Sequence, residues 1–333
     1  MSRISILVCL VAFACGGSSK PAPVAPLPAD KPAEPVAQNP APPPTPEPTK
    51  KEEPPPPMGP ISVKFEPQDV KVKVVSTGKG AKSKLAYAPK AGTKQPGELA
   101  IDFYIKQSAP AELGGDDEKA LPTMALIGDS EAKTADKDGA EVVFTVTSTD
   151  ARPFPGRDQV PLDKLKELLA TAKGLTLSGK IAPTGAGDTT LSIEKATPGT
   201  VEVMQMLVLA QPTWPVLPDA AVGVGAKWKA TTTTKLMSQV AVTVTTDYEL
   251  VAKKGTTWTI KGKTKVTGVE QDLKGAKVTG IQGTGETEAT LVEGAVLPTF
   301  KTKLDAGFSI AQGDKAVTFA MKIGTGYTAN EAK

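Results

Sequence analysis

Val240-Ala-Val-Thr-Val-Thr-Thr-Asp-Tyr-Glu-Leu250, followed after a short gap by Thr257-Trp-Thr-Ile-Lys-Gly-Lys-Thr-Lys-Val-Thr267, is the stretch whose reading decides the fold class. In the first string Val240, Val242, Val244, Thr246, Tyr248 and Leu250 fall on one face, and Thr243, Thr245, Asp247 and Glu249 on the other. In the second, Trp258, Ile260, Gly262, Thr264 and Val266 oppose Thr257, Thr259, Lys261, Lys263 and Lys265. A period of two with one dry and one wet face marks half-buried antiparallel strands. Lys254-Gly255 between the strings reads as a hairpin turn.

The same alternation spreads in both directions. Toward the C-terminus it runs through Phe300, Thr302, Leu304, Ala306, Phe308 and Ile310, turns at Gly313-Asp314, and returns through Val317, Phe319, Met321, Ile323 and Tyr327. Toward the N-terminus it is shorter: Val70, Val72 and Val74 against Lys71 and Lys73, then Leu99, Ile101, Phe103 and Ile105, then Val142, Phe144 and Val146. The polar stretches 107–121 and 130–139 read as loops. Two helices interrupt the strands. Pro161 opens one whose Leu162, Leu165, Leu168, Leu169 and Ala172 make an apolar stripe ending at Gly174. The other runs from about Val201 to Ala210 and is apolar nearly all round, so it belongs deeper in the fold.

Long strands with a single dry face need that face covered, and curvature around a helix is the economical way to do so. The expectation is an α+β fold, mainly antiparallel β: a large curved sheet or half-barrel with two helices, preceded by a disordered N-terminal tether. A membrane-spanning barrel also alternates, but outward Trp and Tyr girdles are missing.

The first sixty residues are of a different kind. Met1 to Ala14 reads as an export signal, with Arg3 as its charge, Ile4 to Phe13 as its apolar run, and Ala12 and Ala14 before Cys15. It is too short to span a bilayer. The run Ala12-Phe13-Ala14-Cys15-Gly16-Gly17-Ser18-Ser19 resembles the lipobox of bacterial lipoproteins, with Phe13 where that pattern has a small residue. The resemblance implies cleavage before Cys15 and acylation of it. The alternative is an ordinary secretory signal cut elsewhere. Cysteine usage points the same way, since the two cysteines, Cys9 and Cys15, are used up by cleavage and acylation and leave no thiol for a disulfide. Several acyl chains anchor durably where one does not. Gly16 stands where enterobacterial lipoproteins retained at the inner membrane carry Asp, which implies the outer membrane in a Gram-negative source.

From 15 to 60 the chain is a lipidated Cys and a Pro-rich spacer, with seventeen of the 31 prolines lying in 21–60. Such a segment has almost nothing to bury and reads as extended polyproline II. Residues 61–333 form the β-rich domain, divisible into two sub-domains near 155–160.

Chemistry is scarce. The chain has no His, which removes the commonest general base and the usual zinc ligand. Net charge is +3, and the basic residues are almost all scattered Lys, so no nucleic acid is expected as a partner. Ser-x-x-Lys at Ser76/Lys79, Ser130/Lys133 and Ser192/Lys195 is what abundant Lys produces by accident. Asp116-Asp117-Glu118 lacks the spacing of a calcium loop. Gly223/Gly225, Gly283/Gly285 and Gly324/Gly326 lie in strands or turns, not at a phosphate-cradling strand-to-helix junction. Aromatics make up 5% of the chain, too few for a sugar-stacking cleft. No catalytic, cofactor or metal site follows; the one site residue is Cys15, for lipidation.

The most distinctive local string is Trp214-Pro215-Val216-Leu217-Pro218-Asp219, then Val222-Gly223-Val224-Gly225-Ala226-Lys227-Trp228. It resembles a junction in uncharacterised bacterial envelope lipoproteins of domain-of-unknown-function type, over about 160–330, and that resemblance implies no activity. Trp214 and Trp228 read as core plugs. The curved sheet with an apolar helix is also similar in architecture to periplasmic lipoprotein carriers, where a half-barrel wraps a greasy cavity.

The resulting expectation is a membrane-anchored cell-envelope lipoprotein. It is a non-enzymatic binding or structural module without a cofactor, its partners being the membrane through its lipid and a hydrophobic ligand or an envelope protein. The alternative is an envelope hydrolase built from carboxylates on distant strands.

Overall fold

The computed structural model describes residues 58–65, 69–154, 160–210, 214–237, 239–273 and 275–330. The signal at 1–14, Cys15 and nearly all of the Pro-rich spacer lie outside the described residues. The strands in chain order are β1 Ile61–Phe65, β2 Val70–Ser76, β3 Lys79–Ser83, β4 Lys94–Ser108, β5 Asp117–Ala120, β6 Thr123–Asp136 and β7 Gly139–Arg152. They continue with β8 Thr176–Ile181, β9 Thr189–Ile193, β10 Val222–Val224, β11 Lys227–Leu236, β12 Val240–Lys254, β13 Thr257–Thr267, β14 Gln271–Leu273, β15 Ala276–Val292, β16 Thr299–Gln312 and β17 Lys315–Ala329. The helices are α1, Leu162–Ala170, and α2, Pro198–Leu209.

The fold is mainly antiparallel β, as the alternation predicts. Among the described residues one 15-stranded sheet follows the path β1-β9-β8-β7-β6-β4-β17-β16-β15-β13-β12-β11-β2, with β5 and β14 hanging off β4 and β15. Each ladder along that path is antiparallel. β7 and β8, which flank residues 155–160 in the chain, pair directly with each other. Both predicted hairpins form, at Gly255 and Gly313, with positive φ at the first central residue as a type II′ turn requires.

The two edges of this sheet are consecutive in the chain. β1 is one edge and β2 the other, yet Phe65 and Val70 are five residues apart and therefore at most about 18 Å apart. Laid flat, the same path would be roughly 58 Å wide at about 4.8 Å per strand. The sheet is therefore rolled until its edges approach. Twelve antiparallel steps separate β1 from β2, so the two run in the same direction. β1 and β2 thus run in one direction, the first zipped onto β9 and the second onto β11.

A strap of four residues seals the roll from within. Trp214 Nε1 donates to Gly185 O at 3.0 Å, and the Leu217 N–H donates to Thr184 O at 2.8 Å, in the turn between β8 and β9. Between these two residues, Pro215 O accepts from the buried Tyr87 hydroxyl at 2.7 Å, and Val216 O accepts from Trp228 Nε1 of β11 at 2.7 Å. Trp228 stacks on Tyr248 of β12, centroids 5.6 Å apart. The prolines at 215 and 218 keep the strap extended and remove donors it could not satisfy.

The helices sit with this sealed part of the core. α1 packs on β7 and α2, burying Leu165 and Leu169. α2 begins three residues before the expected Val201, because Thr197 caps it in a reciprocal box with Thr200 and Pro198 suits its first turn. Thr200 Oγ1 also donates to Thr171 O at 2.9 Å, fixing the start of α2 to the end of α1. Two expected loops are partly strand. Residues 117–120 form β5, and 130–139 form the β6–β7 hairpin, whose tip projects with both faces wet and so carries no apolar alternation.

The outer face of the long strands carries rows of alternating charge. Lys227, Glu249, Lys261, Glu288 and Lys301 are successive cross-strand partners on β11, β12, β13, β15 and β16. Lys229, Asp247, Lys263, Glu286 and Lys303 repeat the pattern one row along. Ion pairs form within them at Lys229–Asp247, 2.9 Å, and Lys261–Glu288, 3.3 Å. Each exposed pair is worth little, but together they disfavour slipped registers that place like charges opposite. A face built this way is turned to water, the reverse of the apolar outer band of a membrane barrel.

Two consequences can be measured. Gly185 has φ +89, and a Cβ there would meet the Tyr87 ring at 2.5 Å. Gly185→Ala should cost on the order of 2 kcal/mol through strain and overpacking at the strap, read by urea denaturation. Lys263→Glu faces Asp247 and Glu286 on its two neighbours and should cost about 1 kcal/mol at low salt, with part of the loss recovered at high salt.

Candidate functional site

The inward face of the rolled sheet is apolar toward both ends and carries a belt of Thr and Gly, Thr246, Gly262, Thr264, Gly285, Thr287, Thr302 and Thr325, between them. One buried cluster holds the helices, the strap residue Leu217, and residues such as Ile101, Leu126, Phe144, Trp228 and Tyr327. A second lies toward the other end of the long strands and is made largely by strand residues, among them Ile105, Val242, Val266, Phe308 and Phe319. Between them runs a row of cross-strand partners, Thr264, Gly285, Leu304, Ile323 and Phe103, on β13, β15, β16, β17 and β4.

Each member of that row is only half-buried. The positions two residues away on either side are covered in three of the strands: Gly262 and Val266 on β13, Met321 and Thr325 on β17, Ile101 and Ile105 on β4. On β15 and β16 one flanking position, Gly283 and Thr302, is itself half-buried, and Phe103, Leu304 and Ile323 pack against the neighbouring clusters. Gly285 is the glycine of the row: a Cβ there would meet Lys303 O at 2.5 Å, with Thr264 Cβ at 3.3 Å and Leu304 Cδ1 at 3.4 Å, so its neighbours close over it. No member of the row is ionisable, whereas Lys263, Glu286, Lys303, Lys322 and Asp102 face outward from the same five strands. Thr264 and Thr246 share a hydroxyl hydrogen bond at 2.9 Å, and Thr287 and Thr302 another at 3.3 Å.

The motifs weighed in the sequence are dispersed. Ser130 is fully buried and bonded to the Tyr327 hydroxyl at 3.1 Å, while Lys133 is paired outside with Glu131 at 2.6 Å. Ser76 Oγ accepts from the Gly78 N–H, and Ser192 pairs with Thr176 at 2.7 Å. Asp116 accepts from the Ala109 N–H, and Asp117 pairs with Lys119. Among the described residues, no three Asp or Glu side chains come together as a metal site. The acids of the outer rows sit on β12 and β15, with the lysines of β13 between them. Glu202 on α2 has its carboxyl pushed up by partial burial. Trp228 is the core plug the sequence predicts, at 1% exposure; Trp214 is half-buried and serves as the end of the strap.

Sequence reasoning missed this row: it placed Phe103, Thr264, Leu304 and Ile323 on the dry face of strands but left Gly285 in a strand or turn. It also missed Tyr87, Gly185 and Tyr248 as strap partners. Only the Leu-Pro-Asp and Val-Gly-x-Gly string flagged that region.

The chain matches no protein-family model, no curated protein and no solved structure. Its chemistry is therefore argued from its own geometry.

Burial raises the Tyr248 phenol to about 12, against contacts with Thr246 and the Val216 backbone that lower it. The folded chain holds this proton more tightly than the unfolded chain, so the pairing is fully stabilising below about pH 10 and its contribution falls as pH climbs toward 12. Thermal melts from pH 8 to 12 should show Tyr248→Phe losing less stability across that window than the parent chain.

Proposed function

We propose that this protein is a lipid-anchored module of the bacterial cell envelope that takes an apolar ligand on its inward face, without catalysis. The observation that carries the reading is the inward face itself: uncharged, apolar at both ends, and half-exposed along the row of Thr264, Gly285, Leu304, Ile323 and Phe103 between two buried clusters. Ligand sites are concave and mostly apolar with a few polar groups, which describes this row and its threonines. The N-terminal string ending in Cys15 supports the anchor. Met58 and Gly59 exchange backbone hydrogen bonds with Ala196, extending the β1–β9 edge, so the described chain starts on a strand held by the sheet.

The carboxylate-hydrolase alternative finds less support. A general acid and its partner need two carboxylates held across a substrate. The outer-row acids are interleaved with lysines and exposed, and Glu202 stands on a helix whose other residues are largely apolar.

The anchor has a direct test. Cells producing the full chain should incorporate radiolabelled palmitate into it, and Cys15→Ser should abolish the label and move the protein from the membrane fraction to the soluble one. Label retained in Cys15→Ser, or none in the parent, removes the anchor.

A further inference from the structure

The charges of this chain balance overall but not locally. Residues 70–94 hold seven Lys and no Asp or Glu, in a chain whose net charge is +3. That run contains β2, β3 and the segment leading into β4. Among the described residues Lys94 pairs with Glu131 at 4.0 Å, whereas Lys71, Lys73, Lys79, Lys82, Lys84 and Lys90 form no ion pair. Lys82 Nζ donates to Thr77 Oγ1 at 2.8 Å, which brings a β3 lysine to the end of β2.

β2 is also an edge. Among the described residues it pairs with β11 and with no other strand. β1 does not lie along its far side. The two run in the same direction with four residues between them, and a side-by-side parallel pair needs a crossover of about a dozen or more. The backbone groups of β2 that point away from β11 take no backbone partner among the described residues. Val72, on the inward face opposite Ala230, is 36% exposed, as an inward residue is when nothing lies beside its strand.

The charge rows specify what such a neighbour would carry. From β16 to β11 the row Lys303, Glu286, Lys263, Asp247, Lys229 changes sign at every strand. At β2 the alternation stops: Lys73 is the partner of Lys229, and Lys71 lies two residues along on the same outer face. A strand added beyond β2 with carboxylates opposite Lys73 and Lys71 restores it, whereas a second copy of β2 paired about Val72 sets lysine against lysine. Lysines on an edge guard against pairing with like or apolar strands. They do not guard against an acidic one.

We propose that the β2 edge is a docking site for an extended acidic segment of another protein. The segment adds a strand along Val70–Val74, with two alternating carboxylates against Lys71 and Lys73 and an apolar residue between them beside Val72. In this mode of recognition main-chain hydrogen bonds supply affinity and alternate side chains supply choice. The bulge at Val75, the extra residue between the partners of Trp228 and Lys227, ends the site. The site is separate from the inward face and stands whatever that face binds.

The probe is a fluorescein-labelled peptide, Ser-Thr-Glu-Val-Glu-Val-Thr-Ser, titrated onto the full chain and followed by anisotropy. Saturable binding is expected, weakening as salt is raised. Lys71→Glu combined with Lys73→Glu, both at exposed positions, turns two attractions into repulsions and should weaken binding roughly tenfold or more. Lys164→Glu combined with Lys173→Glu makes the same change of net charge beside α1 and should leave binding unchanged. The permuted peptide Ser-Thr-Glu-Glu-Val-Val-Thr-Ser should bind several-fold more weakly. Two peptides N-methylated on alternate sets of amides separate strand pairing from bulk attraction: one should lose binding and the other keep it, since every second residue of an added strand donates to β2. No saturable binding, equal binding by the permuted peptide, equal effects of the two N-methylations, or unchanged affinity in the Lys71/Lys73 variant overturns the proposal. So does displacement of the peptide by phosphatidylglycerol vesicles that no longer bind the Lys71/Lys73 variant, which would assign these lysines to an anionic lipid surface.

Discussion

The course of residues 61–76 imposes a constraint that the rest of the structure has to meet. Its first half is hydrogen-bonded to β9 and its second half to β11, the strands next to the two ends of a long antiparallel path. Because covalent reach is short, the whole sheet must roll to bring those strands near one another. Rolling creates an inside, and the inside must then be filled. The strap at 214–217 meets this need where the roll comes together, by placing side chains and carbonyls between the β8–β9 turn on one side and Trp228 and Tyr248 on the other. Few of its polar groups are left over, which is what allows an irregular segment to lie in a core at all.

Filling is uneven because the sheet has more inward face than the helices can cover. α1 and α2 lie at the sealed end, with the strap and the large aromatics. The opposite end of the long strands closes by contact between strands alone, through residues such as Phe308 and Phe319, whose rings pack 5.3 Å apart. The half-buried row between them packs against both: Phe103, Leu304 and Ile323 against the strand-built cluster, and Ile323 against the other as well. At Gly285 the neighbouring backbone leaves no room for a side chain, and Thr264 and Leu304 approach over it instead.

The outer face shows the complementary logic. Its charged rows keep that face polar and its register specific, and they leave the apolar requirement wholly to the inside.

The strands, their faces and the two principal hairpins were legible from the alternation around Val240–Leu250 and Thr257–Thr267, because a half-buried strand writes its burial into every second residue. The helix at 162–170 was legible from its stripe for the same reason. The absence of imidazole, the two cysteines at Cys9 and Cys15 and the Pro-rich run are also properties of composition, and they narrow the chemistry without reference to shape. Tertiary structure alone decided that β1 and β2 end up at opposite edges of one rolled sheet, that Tyr87, Gly185 and Trp228 meet at a single strap, and that Thr264, Gly285, Leu304, Ile323 and Phe103 stay partly uncovered. The physical reason is that alternation records whether a residue faces inward, while the fit of one inward face against another depends on curvature and on partners more than a hundred residues away.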